Sequence, residues 1–515
     1  MKVYTKGSEG KTCTMPKHLS FINSVLQTGT FFVVAMEAIA VAIGQGVSNP
    51  IPAAALRPLI RTDAPVIALS HVTLFDGSGA PSQHDQTIIV DHGRIASVGP
   101  SDTTIIPQGA QLLNERDKTV LPGLVGMHEH MFYISVGGGP NHLILGTEQA
   151  ESAPRLYLAA GITTARTTGA IEPAADLAIK AAIDNGMQSG PDLDVTGPYL
   201  DGQETFLIQN QIMNGAQDIR ETVDYWSKRG VTSFKAYMFI QPADLKAAIE
   251  QAHARRIKVT GHLCSVGFTE AINMGIDNLE HGLIVDSEFD PHKKPGVCPS
   301  KSSESVQALL VLDVHGQQIQ RLIKSMISHH VALTSTLATY ENFDADEPAL
   351  DTLRQTQTTL SGLSWADFLK LKTLLGKRTR AGETNSVMAL LHKEMEFERE
   401  FVRQGGLLIA GCDPTGLGGV IAGFGDEREM ELLVQAGFSP SEAVAIFSSH
   451  GAQYLGRQNE IGTVVLGKRA DLVLLNGDFE HDVSAIRRPE IVFKKGVGWD
   501  SAKLQASVAG LAGQR

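Results

Sequence analysis

His128 and His130 stand one residue apart at the end of an apolar run, Leu121-Pro122-Gly123-Leu124-Val125-Gly126-Met127. If that run is a strand, its side chains alternate between faces. Both imidazoles then share a face, and Glu129 between them turns away as a structural residue. Two imidazoles on one face at the end of a buried strand can hold a metal ion. Taken alone, the pair is equally compatible with a strand end that carries two unrelated histidines. Four more ionisable residues close or occupy apolar runs further along: Lys235 in Thr232–Tyr237, His262 after Lys258–Gly261, His281 after Asn278–Glu280, and Asp413 after Leu407–Cys412.

Those runs belong to a repeating pattern. Between residue 121 and about 457, short apolar segments alternate with stretches of helical period, such as 174–185, 242–254 and 268–274. Counting the run into His128, eight strands are expected, the others beginning at Gly161, Leu193, Thr232, Lys258, Asn278, Val331 and Leu407. Helices between successive strands imply a parallel sheet, and eight such units predict an α/β fold, a (β/α)8 TIM barrel. In that fold the six ionisable residues converge on the carboxyl-terminal face of the barrel, where barrel enzymes do their chemistry. Residues 341–403 are longer than one crossover needs and predict a helical insertion near the barrel mouth.

The flanks read differently. Residues 66–120 contain period-two runs separated by turns at Asp76-Gly77-Ser78-Gly79 and Asp91-His92-Gly93, which predict a small antiparallel unit. It cannot bury both faces alone. Residues 458–515 offer partners at Ile461–Val464, Ala470–Leu475 and Ile491–Gly496, so a composite β-sandwich built from both ends of the chain is expected. Residues 48–65 read as a linker. Residues 1–47 have the order of a leader or secretory signal, basic then apolar then small, although Glu37 fits poorly and Met15 is an alternative start. Export to the periplasm or beyond follows if that segment is a signal, and a cytoplasmic location otherwise.

The 515-residue chain carries a net charge of −12, which argues against nucleic acid as a partner. No polybasic run marks a membrane partner, and the four cysteines show neither CxxC spacing nor a dense disulfide framework. A small-molecule substrate is the expected partner.

The chain resembles the amidohydrolase superfamily, in its binuclear metal-dependent branch. Val125–His130, Phe234-Lys235, Thr260-Gly261-His262, Leu279-Glu280-His281-Gly282 and Ala410–Asp413 carry the resemblance, together with Ile461–Val473 in the tail. It spans roughly residues 66–497. Gly161-Ile162-Thr163-Thr164 and Gly275–Gly282 are similar to imidazolonepropionase-like members, notably prolidase-like dipeptidases and ochratoxinase-type amidases. The resemblance implies that His128, His130 and Asp413 hold one divalent ion and that His262 and His281 hold the other. Lys235, carboxylated by carbon dioxide, would bridge the two. Imidazole and oxygen donors suit zinc, with manganese or cobalt as alternatives. Two ions sharing a water would generate the hydroxide that attacks an amide or peptide C–N bond, as in a dipeptide or an N-acyl amino acid. Asp413 would take up the proton and pass it to the leaving amine. Oligomeric state stays open, homo-oligomers being common among such proteins.

Other residues carry weaker signals. Tyr237, two positions after Lys235 and on its face, is a candidate oxyanion donor or a barrel-layer aromatic; Tyr340 has the same standing. Arg166 could meet a substrate carboxylate or form a structural ion pair. Cys412 should face away from Asp413 and pack. Gly416–Gly419 reads as a flexible lip over the site, and His142, His292, His329 and His330 as ordinary loop or helix residues. A lactonase or phosphotriesterase could use the same centre. A mononuclear deaminase has no need of Lys235, and a metal-free scaffold is disfavoured because every ligand position is filled.

Overall fold

The structure is a computed structural model that describes residues 51–136, 144–205, 207, 209–300, 303–344, 350–380, 386–415 and 419–514. Eight parallel strands form its centre: β1 (Leu124–Glu129), β2 (Ile162–Thr167), β3 (Asp192–Leu200), β4 (Ser233–Ala236), β5 (Lys258–Gly261), β6 (Asn278–Glu280), β7 (Ala332–Ser335) and β8 (Leu408–Ala410). They pair in chain order from β1 to β8. Every residue of β1 and β2 is buried, as expected of parallel strands covered on both faces. Helices return the chain between them. The helix Gln317–Ser328 shows why, burying Ile319, Leu322, Ile323 and Met326 on one stripe, which is the 3.6-residue period of an amphipathic helix.

The ring closes where β8 meets β1. The Asp413 N–H donates to the His128 carbonyl at 2.9 Å. Gly411 permits this approach, because a Cβ at that position would lie 2.2 Å from the His128 nitrogen. A TIM barrel is therefore the architecture, as the strand count implies.

A second, nine-stranded sheet draws on both ends of the chain: Ile60–Thr62, Val66–Leu74, Gln83–Asp91, Arg94–Pro100, Gln111–Asn114 and Thr119–Pro122 pair into one sheet with Leu472–Leu475, Pro489–Lys494 and Val497–Asp500. Side-chain alternation divides its duties. Leu472 and Leu474 join Ile67, Leu69, Ile88 and Phe493 in a core internal to this sheet. Val473 and Leu475 face the other way, into the large core of the barrel. Asp192 at the start of β3 fastens the two together, lying 2.6 Å from Arg469, 2.9 Å from Lys494 and 3.1 Å from Lys495.

Two expectations for the flanks need correction. Residues 48–65 are not simply a linker. Within them Ala54–Leu59 forms a short helix and Ile60–Thr62 an edge strand paired with Val497–Asp500. Its partner lies more than 400 residues away, so no local pattern announces it. Ile461–Val464 is not a strand; Gly462 has φ +89° and Val464 N–H donates to the Asp76 carbonyl instead. The leader reading of residues 1–47 lies outside the described residues. Among those described, no helix is long and apolar enough to cross a membrane.

The stretch 341–403 contains the helices Leu350–Thr359, Gly362–Arg380 and Val387–Arg403. The last of these reaches the end of β6. There Glu394 Oε2 accepts from the Ile284 N–H at 3.0 Å. A hairpin that the sequence reading did not anticipate, Phe132–Val136 with Ile144–Glu148, follows β1.

Candidate metal centre

His128 is the fifth residue of β1, His130 follows that strand directly, Lys235 is the third residue of β4, and His262 and His281 follow β5 and β6. The strands deliver all of them, with Asp413 three residues beyond β8, to the carboxyl-terminal end of the barrel. His130 Nε2 lies 3.1 Å from Asp413 Oδ1, and His128 Nε2 lies 3.6 Å from the same oxygen. Lys235 Nζ is 3.0 Å from His128 Nε2. The His262 ring sits 4.3 Å from that of His281, which is 4.6 Å from His128. All six residues named from the sequence are thus gathered at one place.

Backbone geometry contributes to the convergence. His281 and Asp413 both adopt left-handed backbone, with φ of 68° and 47°. Non-glycine residues rarely do so, and such conformations persist where the surroundings over-determine them. At His281 the effect is specific. Glu280 and His281 are neighbours and should face opposite ways on a regular strand, yet the turn at His281 lets both reach the barrel interior.

Three of the imidazoles are oriented from behind. His128 Nδ1 bonds Glu280 Oε2 at 2.8 Å, His130 Nδ1 bonds the Gly169 carbonyl at 3.2 Å, and His281 Nδ1 bonds Thr336 Oγ1 at 2.7 Å. Outer bonds of this kind fix ring orientation and leave Nε2 for an ion. His281 Nε2 is buried and has no hydrogen-bonding partner among the described residues. A buried polar atom left unsatisfied is costly unless something else satisfies it, and a divalent ion would. His128, His281 and Asp413 each place one donor atom within 4.8 Å of the others. The donor set and the orphaned nitrogen therefore fit a metal site.

The electrostatics agree. Burial, with Lys235 adding to it, lowers the His128 pKa to about 4, and burial lowers His130 and His281 as well. These three imidazoles are therefore neutral at pH 7, the form that binds metal. Burial would raise the Asp413 pKa, but the surrounding histidines outweigh it and hold the carboxylate ionised. Its side chain is 16 % exposed while that of His128 is fully buried, and His262 is likewise only partly buried, so Asp413 and His262 face the open side. Burial depresses Lys235 to about 8, with Arg166 acting in the same direction, despite the opposing pull of Glu280 and Asp413.

Glu280 is the residue that reading the sequence missed. It is fully buried, accepts from Arg166 Nη2 at 2.9 Å and from Thr260 Oγ1, and supports His128. Arg166 also donates to the Met127 carbonyl at 2.8 Å. Arg166 is therefore a structural ion-pair residue, the first-named alternative of a substrate contact being overturned by its burial.

Tyr237 lies on the site side, its ring 5.1 Å from His262 and 4.7 Å from Tyr199. Tyr340 lies 5.8 Å from His281. Glu129 points away from the centre into the helix layer, where Cys412 Sγ lies 3.3 Å from its Oε2. Cys412 packs there, as expected. His292 bonds Glu304 at 2.6 Å away from the site, and His329 and His330 are exposed beyond the helix Gln317–Ser328. His142 and Gly416–Gly418 lie outside the described residues.

The amidohydrolase family profile matches residues 119–498. The chain belongs to the amidohydrolase family. Among solved structures it is similar to a prolidase candidate from Bifidobacterium longum, with 24 % identity over 86 % of this chain and 97 % of that one, and a TM-score of 0.59. A. niger ochratoxinase matches at 16 % identity, covering 85 % and 96 % of the two chains, with a TM-score of 0.60. Bottromycin amidohydrolase matches at 20 %, 90 % and 96 %, with a TM-score of 0.64. These likenesses show the shared fold. No curated protein matches the sequence. Membership makes this amidohydrolase a hydrolytic enzyme with a cluster of metal-competent side chains.

Proposed function

We propose that this amidohydrolase is a binuclear metal-dependent enzyme that hydrolyses the amide or peptide C–N bond of a small molecule such as a dipeptide or N-acyl amino acid. The observation that carries the reading is the set of histidines held from behind at Nδ1, with His281 Nε2 buried and without a hydrogen-bonding partner among the described residues, beside an ionised Asp413. His128, His130 and Asp413 would hold one ion and His262 and His281 the other, with zinc the ion that best suits such donors.

Lys235 would lie between them as a carbamate. An ammonium has no lone pair to offer, whereas the neutral amine can attack carbon dioxide, forming an N–C bond and releasing one proton. A lysine depressed to about 8 has an appreciable neutral fraction near pH 7, which favours that reaction. The ions, when bound, acidify a water towards neutrality and polarise the scissile carbonyl. Asp413 Oδ2 accepts the proton of the attacking water and returns it to the departing nitrogen. Tyr237 is proposed to donate its phenolic hydrogen to the oxyanion. Burial raises its pKa, so the proton stays available throughout.

The test offers zinc-loaded protein four substrate classes: N-acyl amino acids, Xaa-Pro dipeptides, lactones and phosphotriesters. Turnover of the first or second class is expected. Turnover confined to the esters would replace this reading with the lactonase or phosphotriesterase alternative. For Lys235, a carbamate resonance in the 13C spectrum of protein equilibrated with 13C-bicarbonate is expected, and it should vanish in Lys235→Ala.

A further inference from the structure

A cavity of about 300 Å³ opens beside the metal centre, with His262 and Tyr340 at its inner edge. Its walls come from three places. Met238 and Leu263 follow β4 and β5, Ile284 follows β6, Val306 and Leu309 belong to the helix Ser303–Leu310, and Leu390 belongs to the helix Val387–Arg403. The chemistry of the lining is one-sided. Among the described residues it contains no lysine or arginine, and its acidic side chains are Asp290 and Asp286, the latter pushed well above the usual carboxyl range by burial; Lys293 lies behind the wall, its Nζ donating to the Cys264 carbonyl at 2.6 Å. Asp286 is committed to the wall, accepting from the Phe268 and Glu288 N–H groups at 3.3 and 3.0 Å. The disulfide Cys264–Cys298 ties the segment after β5 to the chain leading into Pro299, and Cys264 and Pro299 both line the cavity.

We infer that this cavity is a specificity pocket for a bulky, uncharged apolar group, a branched aliphatic or an aryl substituent, flanking the scissile amide. The inference rests on the metal-dependent reading above and narrows its substrate class. Size and lining give the reasons. A volume of 300 Å³ is at the small end for ligand pockets, which suits one substituent rather than a whole substrate. Apolar walls reward an apolar guest in proportion to the area it removes from water. An apolar lining with no cation among its described residues offers a carboxylate guest nothing to offset its desolvation, so a substrate carboxylate is expected on the other side of the scissile bond.

Hydroxamates, which anchor on a metal through two oxygens, separate the pocket from the centre. Zinc-loaded protein is titrated calorimetrically with acetohydroxamate, 3-phenylpropionohydroxamate and succinic monohydroxamate. The phenyl compound should bind about 10- to 100-fold more tightly than acetohydroxamate, the range expected for filling an apolar pocket, and the succinic compound no more tightly. Leu309 is half-buried on a short surface helix, so substitutions there are well placed to be tolerated. Leu309→Trp, which fills the cavity, should bring the phenyl preference within about threefold. Leu309→Ala, which widens it, should reduce the preference by a smaller factor. Equal affinity for the phenyl and methyl compounds, an unchanged preference in both variants, or a gain for the succinic compound would overturn the pocket. Failure of all three to bind would overturn the metal centre, and the pocket's role with it.

Discussion

Glu280→Gln separates two duties that one buried carboxylate performs. Glu280 has no exposure, and its two oxygens serve different partners: Oε2 bonds His128 Nδ1 at 2.8 Å and Oε1 meets Arg166 Nη2 at 2.9 Å. The pKa of the carboxyl would be raised by burial, but Arg166 and then His128 reverse the effect and hold it ionised. Removing its charge leaves the Arg166 guanidinium, 1 % exposed, without a counter-ion. Breaking a buried ion pair in this way costs about 3–5 kcal/mol. The amide can still bond His128, but it no longer raises the basicity of the ring. Losing an outer partner of a metal-binding histidine typically weakens metal affinity about 10- to 100-fold. Two assays read the two effects: urea unfolding of the metal-free protein, and zinc affinity by competition with a fluorescent chelator. Both quantities should fall. If stability drops while zinc affinity is unchanged, Glu280 is only the partner of Arg166 and does not orient His128. If neither moves, the buried ion pair does not exist as described.

Three further perturbations probe what positions the site. Gly411→Ala places a methyl against the His128 backbone, so it should open the β8–β1 seam, displace Asp413 and lower zinc affinity, read by the same chelator competition. Asp192→Asn should destabilise the protein by about 3–5 kcal/mol at pH 7 in urea unfolding. Burial works against the Asp192 carboxylate, but Lys494, Arg469 and Lys495 prevail and hold its pKa well below the usual range. Its stabilising contribution is therefore complete above the unfolded pKa of about 3.9 and is lost as the pH falls towards the folded value, so the variant should show a shallower acid limb. Replacing Cys264 and Cys298 together with alanine removes a cross-link between residues 34 apart. It should cost up to about 4 kcal/mol by loss of loop-closure entropy in the unfolded chain, measured by urea unfolding against the parent.

The sequence made the donors of this site legible for a physical reason. Each ligand candidate sits in or at the end of a short apolar run, and strand alternation places His128 and His130 on one face without further knowledge. Glu280 was not legible, because alternation assigns it the face opposite to His281. The left-handed backbone at His281 breaks that rule, and nothing in the local pattern signals it beyond the Gly282 that follows. The edge strand Ile60–Thr62 escaped for a different reason. Three residues carry too little period to recognise, and the strand exists only because Val497–Asp500 offers an edge. The disulfide escaped likewise, since Cys264 and Cys298 acquire their proximity from the fold and not from their spacing.

Metal stoichiometry tests the central claim most directly. Protein purified with zinc and bicarbonate, exhaustively dialysed and assayed by elemental analysis, should retain two ions per chain and should lose amide hydrolysis on chelation and regain it with zinc. Well under one ion per chain, with no hydrolysis stimulated by metal, would contradict the account.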